Sequence, residues 1–185
     1  MSTNRDFVAR RRAAGVGATL LLLAGVLVPS TALAPAAAAD DSAENCIFMI
    51  ELDREICAPV DEDLHAKVYD ETGVVVIEGP ASTAARGPAA VLASYVVTRL
   101  YDDSNYGGSY YEVSSGSTCN GSTIKSVSDI GSSWYGRVSS FATYSGCTVK
   151  IFSSTGFGGN SFGFAGSTSY VGNTMNDQTR SLQAR

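Results

Sequence analysis

Histidine, serine and carboxylate side chains are the groups in this sequence that could perform acid–base or nucleophilic chemistry. The single histidine, His65, follows the acidic run at 61–63, and the chain contains no Gly-x-Ser-x-Gly motif. The serines occur in glycine-rich text, where serine is ordinary turn chemistry. Asp102 and Asp103 are chain neighbours, and neighbours on a strand point to opposite faces, so they do not form a catalytic pair by adjacency. The residues therefore predict a protein that is not an enzyme.

Four cysteines, Cys46, Cys57, Cys119 and Cys147, are the other reactive groups. An even number in an exported chain indicates disulfide bonds, and the absence of Cys-x-x-Cys spacing argues against a zinc or redox site. Three pairings can be drawn. The strand-like text between Cys46 and Cys57 favours a hairpin closed by that pair, which leaves Cys119 to bond Cys147.

The first 39 residues have the layout of a secretory signal peptide. A basic stretch precedes an apolar core at 15–28 and an Ala-rich end, with cleavage expected near Ala39 rather than at Ala34. The apolar run is too short to be a stable membrane span. We therefore expect a secreted protein with no membrane segment after cleavage.

The acidic residues of the mature chain are concentrated near its start. Removal of residues 1–39 leaves nine basic and seventeen acidic residues, a net charge of −8. Residues 40–94 hold twelve acidic and three basic residues, whereas residues 95–185 hold five and six. Neither part has the basic patch that a phosphate backbone requires, so nucleic acid is not an expected partner.

Composition divides the mature chain into three parts. Residues 40–78 form an acidic segment that contains the cystine hairpin and a second strand-like run at 74–77. Residues 79–94 are rich in Gly, Pro, Ala and Ser, which predicts a linker. In residues 95–185, short runs of β-branched and aromatic residues alternate with Gly, Ser and Asn, which predicts an all-β sandwich with little helix.

An internal repeat with an offset of 51 residues opens the β-rich part. Residues 98–109 align without a gap on residues 149–160, with the aromatic residues and the Gly-Gly pairs in register. In each copy an aromatic residue ends a strand, and a turn leads to a second aromatic residue, Tyr106 or Phe157, and then to glycine. We expect these two rings to pack over folded hairpins, and Gly108 and Gly159 to take equivalent positions with φ > 0.

This duplicated [Phe/Tyr]-x-x-x-x-[Phe/Tyr]-x-Gly string resembles the signature of βγ-crystallin Greek-key motifs. The resemblance covers residues 95–185 and implies a two-sheet Greek-key β-sandwich of two repeated motifs. Many microbial members of that superfamily bind calcium. Their calcium loops read Asn/Asp-Asn/Asp-x-x-Ser/Thr-Ser, which residues 135–140 and 176–181 match in part, with residues 128–133 as an alternative.

The resemblance implies metal ligands in both loops and on the backbone of both hairpins. These ligands are Asp102, Ser139, Ser153, Asn176 and Asp177. The first loop keeps its serines but has Gly136 where an acid or amide is expected, and the second has Arg180 in place of the hydroxyl residue. Calcium takes six to eight oxygen ligands and favours charged ones, so we predict weak calcium binding at most.

Three hypotheses for function follow. The chain could be a structural or binding module with degenerate calcium sites. Because the superfamily includes secreted peptidase inhibitors and killer-toxin-like proteins, it could instead act on another protein or a cell-surface target through a loop. Finally, residues 40–94 could be a pro-segment whose negative charge docks it on the near-neutral domain.

Overall fold

The fold is known from a computed structural model that describes residues 43–79 and 92–185. The predicted signal peptide and most of the predicted linker lie outside the described residues. Within those two ranges the regular elements are β1 (Glu44–Met49), β2 (Arg54–Pro59), α1 (Leu64–Thr72), β3 (Val74–Ile77), β4 (Leu92–Tyr101), β5 (Tyr110–Ser115), β6 (Lys125–Val127), β7 (Ser140–Thr143), β8 (Val149–Phe152), β9 (Ser161–Ala165) and β10 (Ser181–Ala184). No helix in these ranges has both the length and the apolar character needed to cross a membrane.

The strands form two sheets. The first has the order β2-β1-β5-β4-β3, with β7 also paired with β4, and the second has the order β6-β10-β8-β9. The first repeat sends β6 into the second sheet, and the second repeat bridges Thr168 to Phe141 in the first sheet. Each repeat thus lends one strand position to the other sheet, which is the predicted Greek-key sandwich.

The acidic segment extends the first sheet. Strand β1 runs parallel to β5, with Cys46 opposite Tyr111, and β3 runs parallel to β4, with Val74 opposite Leu92. Strand β4, which pairs with this segment, begins at Leu92, three residues before the predicted domain boundary at 95. Because Ile47 of β1 is fully buried, the segment is an integral part of the described fold, which argues against a detachable pro-segment.

Helix α1 was not predicted, although the sequence carries both of its end signals. The Asp63 carboxylate accepts hydrogen bonds from the backbone N–H groups of His65 and Ala66, each at 3.0 Å, which caps the first turn. Gly73 ends the helix with φ 72°, and its N–H donates to the Tyr69 carbonyl at 2.8 Å. The acidic run at 61–63 therefore supplies the helix N-cap, Asp63.

Two apolar clusters hold the layers together. The larger one lies between the sheets around Trp134, whose ring centroid is 5.6 Å from that of Tyr111. Truncation of such a fully buried indole typically costs about 3–5 kcal/mol. The smaller cluster joins α1 to the first sheet, with Leu64 and Val68 packed against Met49. The sheet is consequently covered on both faces over part of its area.

Candidate functional site

The two repeated hairpins have the same geometry. Here the first hairpin is the connection between β4 and β5, and the second is that between β8 and β9. The rings of Tyr101 and Tyr106 meet edge to face at 5.9 Å, and those of Phe152 and Phe157 do so at 5.8 Å. Gly108 and Gly159 have φ of 76° and 75°. The ring packing and the glycine positions that the repeat predicted are confirmed.

Glycine is required at the end of each turn for two reasons. Its φ lies in the left-handed region, where a Cβ is unfavourable. A Cβ on Gly159 would also lie 2.4 Å from the Ser153 Oγ, and one on Gly108 would lie 3.0 Å from the Asp102 Cβ. The chain therefore folds back too closely on itself for a side chain at either position.

A buried serine fastens each hairpin to the final strand of its own repeat. The Ser140 Oγ accepts a hydrogen bond from the Tyr106 N–H at 3.0 Å and donates to the Asp103 carbonyl at 2.6 Å. The Ser181 Oγ accepts from the Phe157 N–H at 3.1 Å and donates to a carbonyl of the same hairpin at 2.7 Å. These are the last serines of the two predicted calcium loops, so their role in this structure is to hold the backbone.

The structure gathers three of the predicted calcium residues at the first hairpin. The Ser139 N–H donates to the carbonyl of Tyr101, the residue before Asp102, at 2.9 Å. The Asp177 N–H donates to the carbonyl of Val138, the residue before Ser139, at 3.0 Å. Asp102, Ser139 and Asp177 thus lie on hydrogen-bonded neighbouring segments, although the loops that contain Ser139 and Asp177 are 41 residues apart in sequence.

Arg180, one of the two substituted residues, lies at the second hairpin. The Arg180 N–H donates to the Phe152 carbonyl at 2.8 Å, which places Arg180 beside Ser153. Gly136 has φ 74° where its repeat partner Asp177 has φ 58°, so the two residues are conformationally equivalent. The second hairpin therefore has an arginine beside Ser153, and the loop position equivalent to Asp177 is a glycine, so neither substituted residue supplies a charged oxygen ligand.

Even the first set is a poor fit for calcium. The Arg137 guanidinium binds both oxygens of Asp102, at 2.9 and 2.6 Å, and stacks 4.2 Å from the Trp134 ring centroid. The Asp177 carboxylate accepts a hydrogen bond from the Asn176 amide at 2.6 Å. A fixed positive charge on one acid leaves a single carboxylate for a divalent ion, which supports weak affinity at most.

A buried ion network lies on the outer side of the first sheet, and no sequence pattern indicates it. Glu112 in β5 is fully buried, and its oxygens contact the Arg99 Nε at 2.6 Å and the His65 Nε2 at 2.9 Å. Arg99 also binds Glu78, and its guanidinium lies 4.8 Å from the Tyr110 ring centroid. The signal is visible only in space, because these residues come from α1, β4, β5 and the end of β3.

This network is electrostatically balanced. Burial lowers the pKa of His65, but the hydrogen bond and the negative charge of Glu112 outweigh burial, so the pKa lies above its ordinary value. Burial lowers the pKa of Arg99, but the charges and hydrogen bonds of Glu112 and Glu78 outweigh burial and raise it, so Arg99 stays protonated. His65, Glu78 and Glu112 have ligand atoms within 4.8 Å of one another, the kind of cluster that can hold a metal. Because the Arg99 guanidinium already bonds both carboxylates, we assign the cluster to structure.

Both predicted disulfide bonds are present. Cys46 bonds Cys57 across the β1–β2 hairpin, and Cys119 bonds Cys147 within the β-domain. The Cys46–Cys57 pair occupies directly opposite positions on adjacent strands. The second bond anchors the exposed connection between β5 and β6 to the segment before β8.

Comparison with known proteins gives structural likenesses and no sequence family. No family model and no curated protein matches the chain. Among solved structures, a βγ-crystallin domain from Clostridium beijerinckii is 26% identical over 48% of this chain and 95% of its own, with a TM-score of 0.37. One from Flavobacterium johnsoniae is 22% identical over 48% and 93%, also at 0.37.

Two further neighbours are of the same kind. A clostrillin double mutant in complex with nickel is 23% identical over 48% of this chain and 95% of its own, with a TM-score of 0.37. A βγ-crystallin from Ciona intestinalis is 24% identical over 46% and 94%, with a TM-score of 0.33. The fold is assigned from the strand order of the two sheets and from the two equivalent hairpins. From β4 to β10 the chain forms the two-sheet Greek-key sandwich with two equivalent hairpins that the repeat predicted.

Proposed function

We propose that this chain is a secreted, non-enzymatic structural or binding protein of βγ-crystallin type, with at most one weak calcium site, at the first hairpin. The division of the predicted ligands between the hairpins carries the proposal. Asp102, Ser139 and Asp177 adjoin the first hairpin, whereas Arg180 adjoins Ser153 at the second and Gly136 occupies the loop position equivalent to Asp177. The second hairpin therefore keeps the fold without the charges that would hold an ion.

Opposing charges set the expected affinity at the first hairpin. A bound calcium ion would gain the Asp177 carboxylate, the Ser139 hydroxyl and backbone carbonyls. It would also lie near the Arg137 guanidinium, which neutralises Asp102. A site with one uncompensated carboxylate resembles the weaker, millimolar end of known calcium sites.

Thermal unfolding in chelator and in millimolar calcium tests this assignment. Asp177→Asn should abolish any calcium-dependent rise in Tm of the parent, because it removes the remaining charged ligand. Arg180→Ser combined with Gly136→Asp should enlarge the rise, since it restores ligands at the second hairpin and an ion that binds only the folded state stabilises it. Aspartate tolerates the left-handed conformation at 136, as Asp177 does at its equivalent position. Equal calcium-induced shifts in parent and double variant would refute the assignment.

Secretion is tested by the N-terminus of the protein recovered from culture medium. Cleavage of the signal peptide should give a chain that starts near Asp40. A protein that remains with the cells and retains Met1 would contradict secretion. A secreted chain that starts near Tyr95 would lack β1–β3 and would revive the pro-segment hypothesis.

The connection between β5 and β6 favours a second candidate function, binding of a peptidase or another protein target. Residues 116–124 are largely exposed, yet Cys119 is tied to Cys147, and the Asn120 side chain accepts hydrogen bonds from two N–H groups of the loop. Ile124, about half exposed, supplies an apolar contact. A rigid exposed loop loses little entropy on binding, as inhibitory loops require.

Inhibition assays against a panel of secreted peptidases test this candidate. If the loop binds a peptidase, Ile124→Asp should abolish inhibition, while Val60→Asp, a matched change at another exposed apolar residue, should leave it intact. Absence of inhibition across serine, cysteine and metallopeptidases, or equal loss in both variants, would exclude the loop as an inhibitory site.

A further inference from the structure

A cavity of about 240 Å³ opens at one end of the first sheet, away from both hairpins. It lies where the turn after β1 meets β3 and the start of β4. Met49 and Val74 form its buried apolar walls, and Leu52 and Leu92, which are 47% and 67% exposed, stand around it. Exposed leucines beside a concave apolar surface are typical of a binding pocket.

One wall of the cavity is polar and unsatisfied. Ser94 lines it and is only 5% exposed, yet its Oγ has no hydrogen-bond partner among residues 43–79 and 92–185. Ser114 lies on the adjacent strand, opposite Val96, and is fully buried. Its Oγ also has no hydrogen-bond partner among the described residues. Cross-strand neighbours and residues two apart share a sheet face, so the two hydroxyls lie on one face. Buried hydroxyls normally have partners, so the hydroxyl of Ser94, the one of the two serines that lines the cavity, is open to a hydrogen-bonding group bound there.

The cavity also carries a negative charge. Glu51 lines it, and its carboxyl carbon lies 3.4 Å from where a Cβ on Gly116 would stand, at the cavity wall. The carboxylate accepts a hydrogen bond from the Ser115 hydroxyl at 2.7 Å. Lys125 donates to that same hydroxyl at 2.8 Å, but among the described residues Glu51 makes no direct ion pair. A cationic head group therefore has a carboxylate to face.

We propose that this cavity binds a small aliphatic amine. The alkyl chain occupies the apolar walls, and the ammonium group donates hydrogen bonds to the Ser94 hydroxyl and faces the Glu51 carboxylate. The site shares no residue with the calcium set or with the loop at 116–124 apart from Gly116 at its edge. A fatty acid is disfavoured because its carboxylate would meet Glu51.

A methyl NMR titration of the secreted protein with hexylammonium tests the proposal, with hexanol and hexanoate as head-group comparisons. Hexylammonium should shift the methyl signals of Leu52, Val74 and Leu92, and it should bind about tenfold more tightly than hexanoate because one ligand is attracted and the other repelled by Glu51. Signals of residues at the hairpins should not move.

Three variants identify the groups responsible. Glu51→Gln should weaken hexylammonium binding about threefold and leave hexanol unchanged, while Glu62→Gln, an exposed acid outside the cavity, should change neither. Ser94→Ala should weaken hexylammonium binding about fivefold through loss of one hydrogen bond. Unchanged methyl spectra with every ligand would overturn the proposal. Hexanoate binding equal to that of hexylammonium, or identical effects of Glu51→Gln and Glu62→Gln, would overturn it as well.

Discussion

Ser140 and Ser181 each fasten one hairpin, and removal of either hydroxyl should loosen that hairpin and leave the other intact. Ser140→Ala deletes two hydrogen bonds, one from the Tyr106 N–H and one to the Asp103 carbonyl. Each lost bond costs about 1 kcal/mol, and more where the abandoned backbone group is out of reach of water. Tyr106 and Asp103 are partly solvated, so we expect a total loss of about 2–4 kcal/mol in the free energy of unfolding.

Urea unfolding in the presence of chelator measures this loss without any contribution from calcium. Ser181→Ala should cost a similar amount, because its two bonds at the second hairpin have nearly the same lengths. Ser139→Ala is the matched control, since this neighbouring buried serine does not bridge a hairpin. Losses below about 0.5 kcal/mol for both Ser140→Ala and Ser181→Ala, or an equal loss for Ser139→Ala, would show that these hydroxyls do not stabilise the hairpins.

Three further predictions concern stability. Gly159→Ala should lose at least about 1 kcal/mol more than Gly73→Ala by urea unfolding, because both have positive φ but only the first Cβ meets another atom; equal losses would contradict the contact argument. The raised pKa of His65 contributes stability below its ordinary value of 6.5 that is lost as pH rises through the folded-state pKa. The free energy of unfolding of the parent should therefore fall from pH 6 to 8 relative to that of His65→Gln. Parallel pH profiles of the two proteins would exclude a contribution from His65 protonation. Replacement of both Cys119 and Cys147 by serine should cost roughly 3–4 kcal/mol for a separation of 28 residues, and a loss under about 1 kcal/mol would contradict the loop-entropy account.

The sequence was most informative where structure is local. The repeat predicted both hairpins because an aromatic residue, a turn and a glycine lie within a dozen positions of one another. The Cys46–Cys57 hairpin was predicted for the same reason. Helix α1 is local too, and Asp63 and Gly73 mark its two ends, but the sequence analysis predicted no helix in the acidic segment.

Features that depend on distant pairing could not be predicted. The parallel pairing of β1 with β5 joins residues about 65 positions apart, and no periodicity in either strand specifies its partner. Nothing in the sequence distinguishes Glu112 from the other acidic residues, because Arg99 and His65 contact it only in the folded chain. The calcium loops were individually half intact. Only the fold reveals that their retained residues, such as Ser139 and Asp177, adjoin one hairpin.

A calorimetric titration of the chain without residues 1–39 with calcium counts the sites and measures their affinity. We expect no more than one site, with a dissociation constant in the millimolar range, because Arg137 neutralises Asp102 and the two loops have Gly136 and Arg180 in place of ligand residues. Two sites per chain, or a single site of micromolar affinity, would contradict it.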